Sequence, residues 1–182
     1  MSTLDKKEIK RQLVEMLDAG RSKTEIFKAL SGGKVKDRVL AAWIGGRPDP
    51  ALRERHSLKV TILVVLTCIQ ALIGAFAGFF LFYEVSAGMA LIVMLLAGGI
   101  PLLFAWGFYK NIAAVYTVYV ILTISQLSRM FKGFDEDPVS TLIGVGITLA
   151  IVGYAAWLKT LLFPDLGFIG AKKIKGQFVF SN

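Results

Sequence analysis

LKVTILVVLTCIQALIGAFAGFFLFY, residues 58–83, is the stretch that decides the fold. After Lys59 it carries no charge until Glu84. A helix advances about 1.5 Å per residue, so roughly 20 apolar residues cross a hydrocarbon core of about 30 Å. This run is long enough. Taken alone it would also suit a buried helix of a soluble domain. Three more runs follow, at about 87–109, 111–128 and 139–163. Four in succession do not suit a soluble domain. Composition agrees, with 55% hydrophobic residues, 19% charged residues and a mean hydropathy of +0.62. Soluble domains average about 45–50% apolar and about 25% charged.

The connections between these runs are short: Glu84-Val85-Ser86, then Lys110-Asn111, then Phe131 to Pro138. Short links make sequential helices antiparallel neighbours. The predicted fold is therefore all-α, an up-down four-helix transmembrane bundle over residues 57–164. Lys110 and Arg129 bracket the third run, as basic groups do when they snorkel to opposite interfaces.

Residues 1–56 read as a small cytosolic segment of three helices. Ile9, Leu13 and Leu17 recur every four residues and predict an apolar stripe ending at Gly20. Ser22 and Glu25 have capping-box spacing ahead of Ile26, Phe27 and Leu30. Val35, Val39, Leu40 and Trp43 mark a third helix, broken at Gly45-Gly46-Arg47-Pro48. Asp49-Pro50 then starts a helix that is predicted to run on into the first span. Residues 165–182 form a separate tail in which Lys172, Lys173 and Lys175 precede Phe178 and Phe180. That pattern suits either a cytosolic lipid interface or a solvated end.

From Met1 to Lys59 there are 14 Lys and Arg against 8 Asp and Glu, a net +6 of the chain's +8. Asp135, Glu136 and Asp137 crowd the third connection, with Arg129 and Lys132 nearby. The positive-inside rule then predicts both termini in the cytoplasm of a bacterial inner membrane. No cleavable signal is expected, because the first apolar run begins so late.

The chemistry-bearing residues are few. Cys68 is the only cysteine and His56 the only histidine. Neither a disulfide nor a zinc-type cluster can form within the chain. Phosphate-loop, zinc-protease and nucleophile-elbow motifs are absent. No ionisable residue lies midway along any run, which argues against proton relays and ion pathways. No cofactor, metal or catalytic residue is expected, and the chain does not read as an enzyme.

Three patterns remain as candidate sites. Tyr116, Tyr119, Thr123 and Gln126 share one face of the third run and should point into the bundle, as a substrate path, a docking surface for a partner's membrane helix, or interhelical hydrogen bonds. Gly74 and Gly78, with Gly146, Ala150 and Gly153, are small-residue faces that predict close packing of the first span on the fourth, with a homodimer seam as the alternative. Lys34, Lys36 and Arg38, with Lys172, Lys173 and Lys175, are candidate contacts to lipid or a partner. Gly98-Gly99-Ile100-Pro101 predicts a kink in the second run. Residues 19–33 resemble a helix-turn-helix cadence, which would make Lys34, Lys36 and Arg38 the head of a recognition helix.

The expected function is that of a non-enzymatic accessory, scaffold or immunity-type membrane protein. Its expected partners are anionic headgroups and either a membrane-protein partner or a second copy of itself. A small oligomeric transporter or channel is the alternative. A membrane-tethered DNA-binding regulator comes third, since nucleic acid is the least expected partner.

Overall fold

The computed structural model describes residues 3–131, 138–167 and 170–181. The acidic stretch and Lys132, used above for orientation, lie outside them. The described residues form eight helices and four two-residue strands. The helices are α1 (Thr3–Asp18), α2 (Lys23–Leu30), α3 (Asp37–Gly45), α4 (Pro50–Arg55), α5 (Ser57–Tyr83), α6 (Ala87–Tyr109), α7 (Ala113–Met130) and α8 (Pro138–Leu162). The strands are β1 (Leu166–Gly167), β2 (Gly170–Ala171), β3 (Lys173–Ile174) and β4 (Gln177–Phe178).

Three helices are long and apolar enough to cross a membrane: α5, α6 and α8. This fits an integral membrane protein. The third predicted run forms α7, but α7 does not join that set. Its 18 residues include two tyrosines, two threonines, two serines, Gln126 and Arg129, which dilute its hydropathy.

The chain divides into two compact units. One is Met1–Leu52 with Lys159–Asn182, and the other is Arg53–Leu158. The first unit was not foreseen, because it joins the two chain ends that the sequence suggested were separate. Local signals build its helices. Gly20, at φ +76°, ends α1, where Gly20 N–H bonds Leu17 O and Arg21 N–H bonds Met16 O. This is the paired closure that a left-handed glycine allows. The Ser22–Glu25 capping box opens α2 with both reciprocal bonds made. Asp49 caps α4 through Ala51 N–H. At His56 the backbone leaves helical geometry (φ −109°, ψ 12°), so α4 and α5 are two helices rather than the continuous one expected.

Leu13, Ile26, Val35, Leu40, Ala41 and Ile44 form the core of this unit, and Phe180 from the tail closes it. Phe27 meets Phe178 and Phe180 at ring-centroid distances of 5.4 and 5.5 Å. Strands β1–β2 and β3–β4 pair as two antiparallel hairpins. The tail is therefore neither helical nor a loose end.

In the second unit α5 packs along α6. A Cβ on Gly74 would lie 3.0 Å from Ala97 O, and one on Gly78 would lie 2.9 Å from Val93 Cγ1. Gly98 answers from α6, 3.0 Å from Ala75 Cβ by the same measure. The two backbones approach as only small residues permit. Pro101 sits inside α6, which runs unbroken through it. Helix α6 ends as α1 does, with Asn111 in the left-handed position (φ +52°), Asn111 N–H on Phe108 O and Ile112 N–H on Gly107 O. Asparagine tolerates that conformation, and it sets the short turn into α7.

Candidate functional site

The polar face of α7 divides along its length. Tyr116 is fully buried against Phe108, with ring centroids 4.7 Å apart. Tyr119 is buried between Phe104 and Phe108, edge-on to both at 5.3 and 5.2 Å. Its hydroxyl donates to Gln70 Oε1 of α5 at 3.0 Å, and Thr123 also hydrogen-bonds it. Thr123 is half-buried and Gln126 is exposed. Only the first half of the face thus points inward. Hydrogen bonding there joins α7 to α5 through Gln70, which the sequence reading passed over. Its signal was that it is the lone carboxamide in the first run.

Gly107 explains why the aromatic cluster forms. A Cβ there would lie 2.6 Å from Val115 Cγ2, so α6 and α7 meet at an approach that only glycine allows. Thr67 is buried as well, but it donates to Leu63 O of its own helix and offers nothing outward.

The small-residue faces do not meet as expected. Gly74 and Gly78 face α6, as described. Nothing lies within 4 Å of a Cβ placed on Gly146 or Gly153, and Ala150 is exposed. Val145, Ile151, Val152, Ala155 and Leu158 of α8 are buried instead. Four of these are larger than alanine, and burying them removes more apolar surface than burying Gly146, Ala150 and Gly153, so α8 turns its small face out. Tyr154 bonds Lys59 O at 3.1 Å, and Lys59 Nζ lies 4.9 Å from the Trp157 ring centroid.

In the unit of the two ends, one buried ionic cluster stands out. Asp165 is 2% exposed. Its Oδ2 accepts from Lys23 Nζ at 2.6 Å, and its Oδ1 accepts from Ser181 N–H and Ser181 Oγ at 2.5 and 2.7 Å. Lys159 Nζ donates to Gly167 O nearby in sequence. A buried charge needs such partners, and here every carboxylate oxygen has at least one. The cluster ties the tail to α2.

Lys34, Lys36 and Arg38 are exposed at the head of α3; Lys172, Lys173 and Lys175 are exposed on the β3–β4 hairpin. Lys7, Glu8, Lys10, Arg11, Val14 and Arg47 line an open groove of about 490 Å³. Among the described residues no group of three His, Cys, Asp or Glu could hold a metal ion. His56 is buried with Nδ1 unpartnered. Burial, then the charges of Lys59 and Arg55, hold its pKa below the ordinary 6.5. No protein-family model, curated protein or solved structure matches the chain.

Proposed function

We propose that this chain is a non-enzymatic integral inner-membrane protein that works by interaction, as an accessory, scaffold or immunity-type subunit with a cytosolic docking unit. The observation that carries it is the joint folding of the two chain ends, Met1–Leu52 with Lys159–Asn182, around one apolar core. This unit holds 15 Lys and Arg against 8 Asp and Glu, +7 of the chain's +8. The positive-inside rule assigns such a unit to the cytoplasm.

Joint folding also supports four crossings. Ends that share one folded unit lie on one side of the membrane, so the crossings between them are even in number. Three helices qualify on length and hydropathy. Adding α7 makes four, an up-down arrangement of α5 to α8. Its 18 residues span about 27 Å, slightly short of the hydrocarbon core. Lys110 and Arg129 can snorkel across that shortfall.

A docking role is supported by what remains outside the core. Helix α3 buries Leu40, Ala41, Ile44 and Gly45 and leaves Lys36, Arg38 and Val39 exposed. Asp37 is exposed among them, which weakens a phosphate-binding reading of this face. In the membrane unit, the Tyr119 hydroxyl is engaged by Gln70 and Thr123 of the bundle itself, which favours packing over a solute path.

A photo-crosslinking residue at Val39, activated in native membranes, tests the proposal. A stoichiometric adduct with one membrane protein, lost on Arg38→Glu, is the expected result. Absence of any adduct, together with solute flux in liposomes that Gln126→Leu abolishes, would replace it with the transporter reading.

A further inference from the structure

We infer that the β3–β4 hairpin is a preformed element that binds the anionic lipid headgroups of the membrane crossed by α8. The inference rests on α8 being a span and on no partner protein.

The hairpin is rigid by construction. Lys175 and Gly176, at φ +50° and +83°, make a two-residue loop with both residues left-handed. That turn matches the natural twist of paired strands. Lys173 pairs with Phe178 and Ile174 with Gln177. Residues directly opposite in an antiparallel pair share a face, and alternate residues share it too. Lys173 and Phe178 therefore share one face, with Lys173 Nζ 4.5 Å from the Phe178 ring centroid and Phe178 seated on Phe27. The opposite face carries Lys172, Ile174, Gln177 and Val179.

That outer face has an unusual composition. Ile174 is 56% exposed and Val179 is 40% exposed. Lys172 lies on the same face and Lys175 at the turn, both exposed, while the exposed Lys173 stands on the other face over Phe178. The only acidic residue beyond α8 is Asp165, and it is buried and paired with Lys23. Exposed branched aliphatics flanked by ammonium groups gain little from water. At a headgroup layer the apolar tips reach the acyl boundary while the ammonium groups meet phosphates.

The hairpin's base is also held near the bilayer. Lys172 N–H bonds Asp165 O at 2.8 Å, and Val179 N–H bonds Lys172 O at 3.2 Å. Asp165 follows Leu162, the last residue of α8, by three positions, a reach of at most about 11 Å. The lysines thus emerge where the span leaves the membrane. Each lysine near an anionic surface strengthens attachment about fivefold, so three act together by about 150-fold at low salt.

The test uses the full chain in lipid nanodiscs, in a Cys68→Ser background, with Ile174→Cys carrying an environment-sensitive fluorophore. In discs containing phosphatidylglycerol the emission should shift to the blue and resist an aqueous quencher. In pure phosphatidylcholine discs, or in anionic discs at high salt, it should not. The Lys172→Gln/Lys173→Gln/Lys175→Gln variant changes only exposed side chains. It should lower the bound-to-free ratio about 150-fold while the Trp43 emission of the same unit stays unchanged. Equal emission in neutral and anionic discs would overturn the inference. So would a shift produced by duplex DNA or an acidic peptide but not by lipid. Because the purified chain is used alone, either result leaves the partner proposal to its own experiment.

Discussion

Replacing Asp165 with asparagine should loosen the unit formed by the two chain ends far more than its place in a basic tail suggests. The change keeps shape and removes charge. Ser181 can still donate to the remaining amide oxygen, but the Lys23 ammonium, whose side chain is only 11% exposed, loses its counter-ion. Breaking a buried pair from one side costs about 3–5 kcal/mol. The low end, about 3 kcal/mol, applies because some water reaches Lys23, and it corresponds to roughly 150-fold in the folding equilibrium. The unit has 52 residues from one end and 24 from the other. At about 0.05–0.15 kcal/mol per residue its whole stability is about 4–11 kcal/mol, so this one change removes a large share. Urea titration in detergent micelles reads it, with Trp106 and Trp157 changed to phenylalanine so that Trp43 alone reports. Lys23→Gln with Asp165→Asn should cost less than the two single changes added, by about 1–3 kcal/mol. A shift for Asp165→Asn below about 0.5 kcal/mol, or strict additivity in the double variant, would show the pair to be no stronger than an exposed one.

Three other outcomes follow from the same geometry. Gly107→Ala should destabilise the membrane unit by about 1–3 kcal/mol, because its Cβ would meet Val115 at 2.6 Å, while Gly146→Ala should change nothing or stabilise slightly. Steric-trap or SDS unfolding distinguishes the two. Tyr119→Phe should cost about 0.6 kcal/mol and at most about 1.7, and Gln70→Leu made on top of it should add little through that bond. In a folded chain with His56 buried beside Lys59 and Arg55, the imidazole protonates less readily than in the unfolded chain. Stability should therefore be fully present above pH 6.5 and fall as the pH drops below it; thermal melts of His56→Gln should lose that slope.

Much of the membrane region could be read from sequence because hydropathy is a local property. The helices 57–83, 87–109 and 138–162 end close to the predicted runs, since Glu84, Lys110 and the residues after Leu162 stop them chemically. What escaped was pairing at a distance. Lys23 and Asp165 are 142 positions apart, and no local pattern links them. The lone acid in a basic tail was the available hint. The β3–β4 strands have two residues each, too few for alternation to register, and Lys175-Gly176 lacks the asparagine or aspartate that usually marks such a turn. The glycines of α5 were visible as a packing face, but nothing local says which neighbour takes it. Bulkier residues on α8 and the Gly98 approach from α6 decide that. On α7 the spacing placed four polar residues on one face correctly, yet burial fades toward Gln126, and spacing carries no depth.

The proposed arrangement puts the two chain ends on one side of the membrane and has α7 cross it with α5, α6 and α8. Single cysteines at Arg21, Glu84, Lys110, Phe131 and Ser181, in a Cys68→Ser background, can be labelled with a membrane-impermeant maleimide in oriented vesicles. The expected result is that Arg21, Lys110 and Ser181 label from one side, and Glu84 and Phe131 from the other. Labelling of Phe131 from the same side as Lys110, or of Ser181 from the side opposite Arg21, would contradict it.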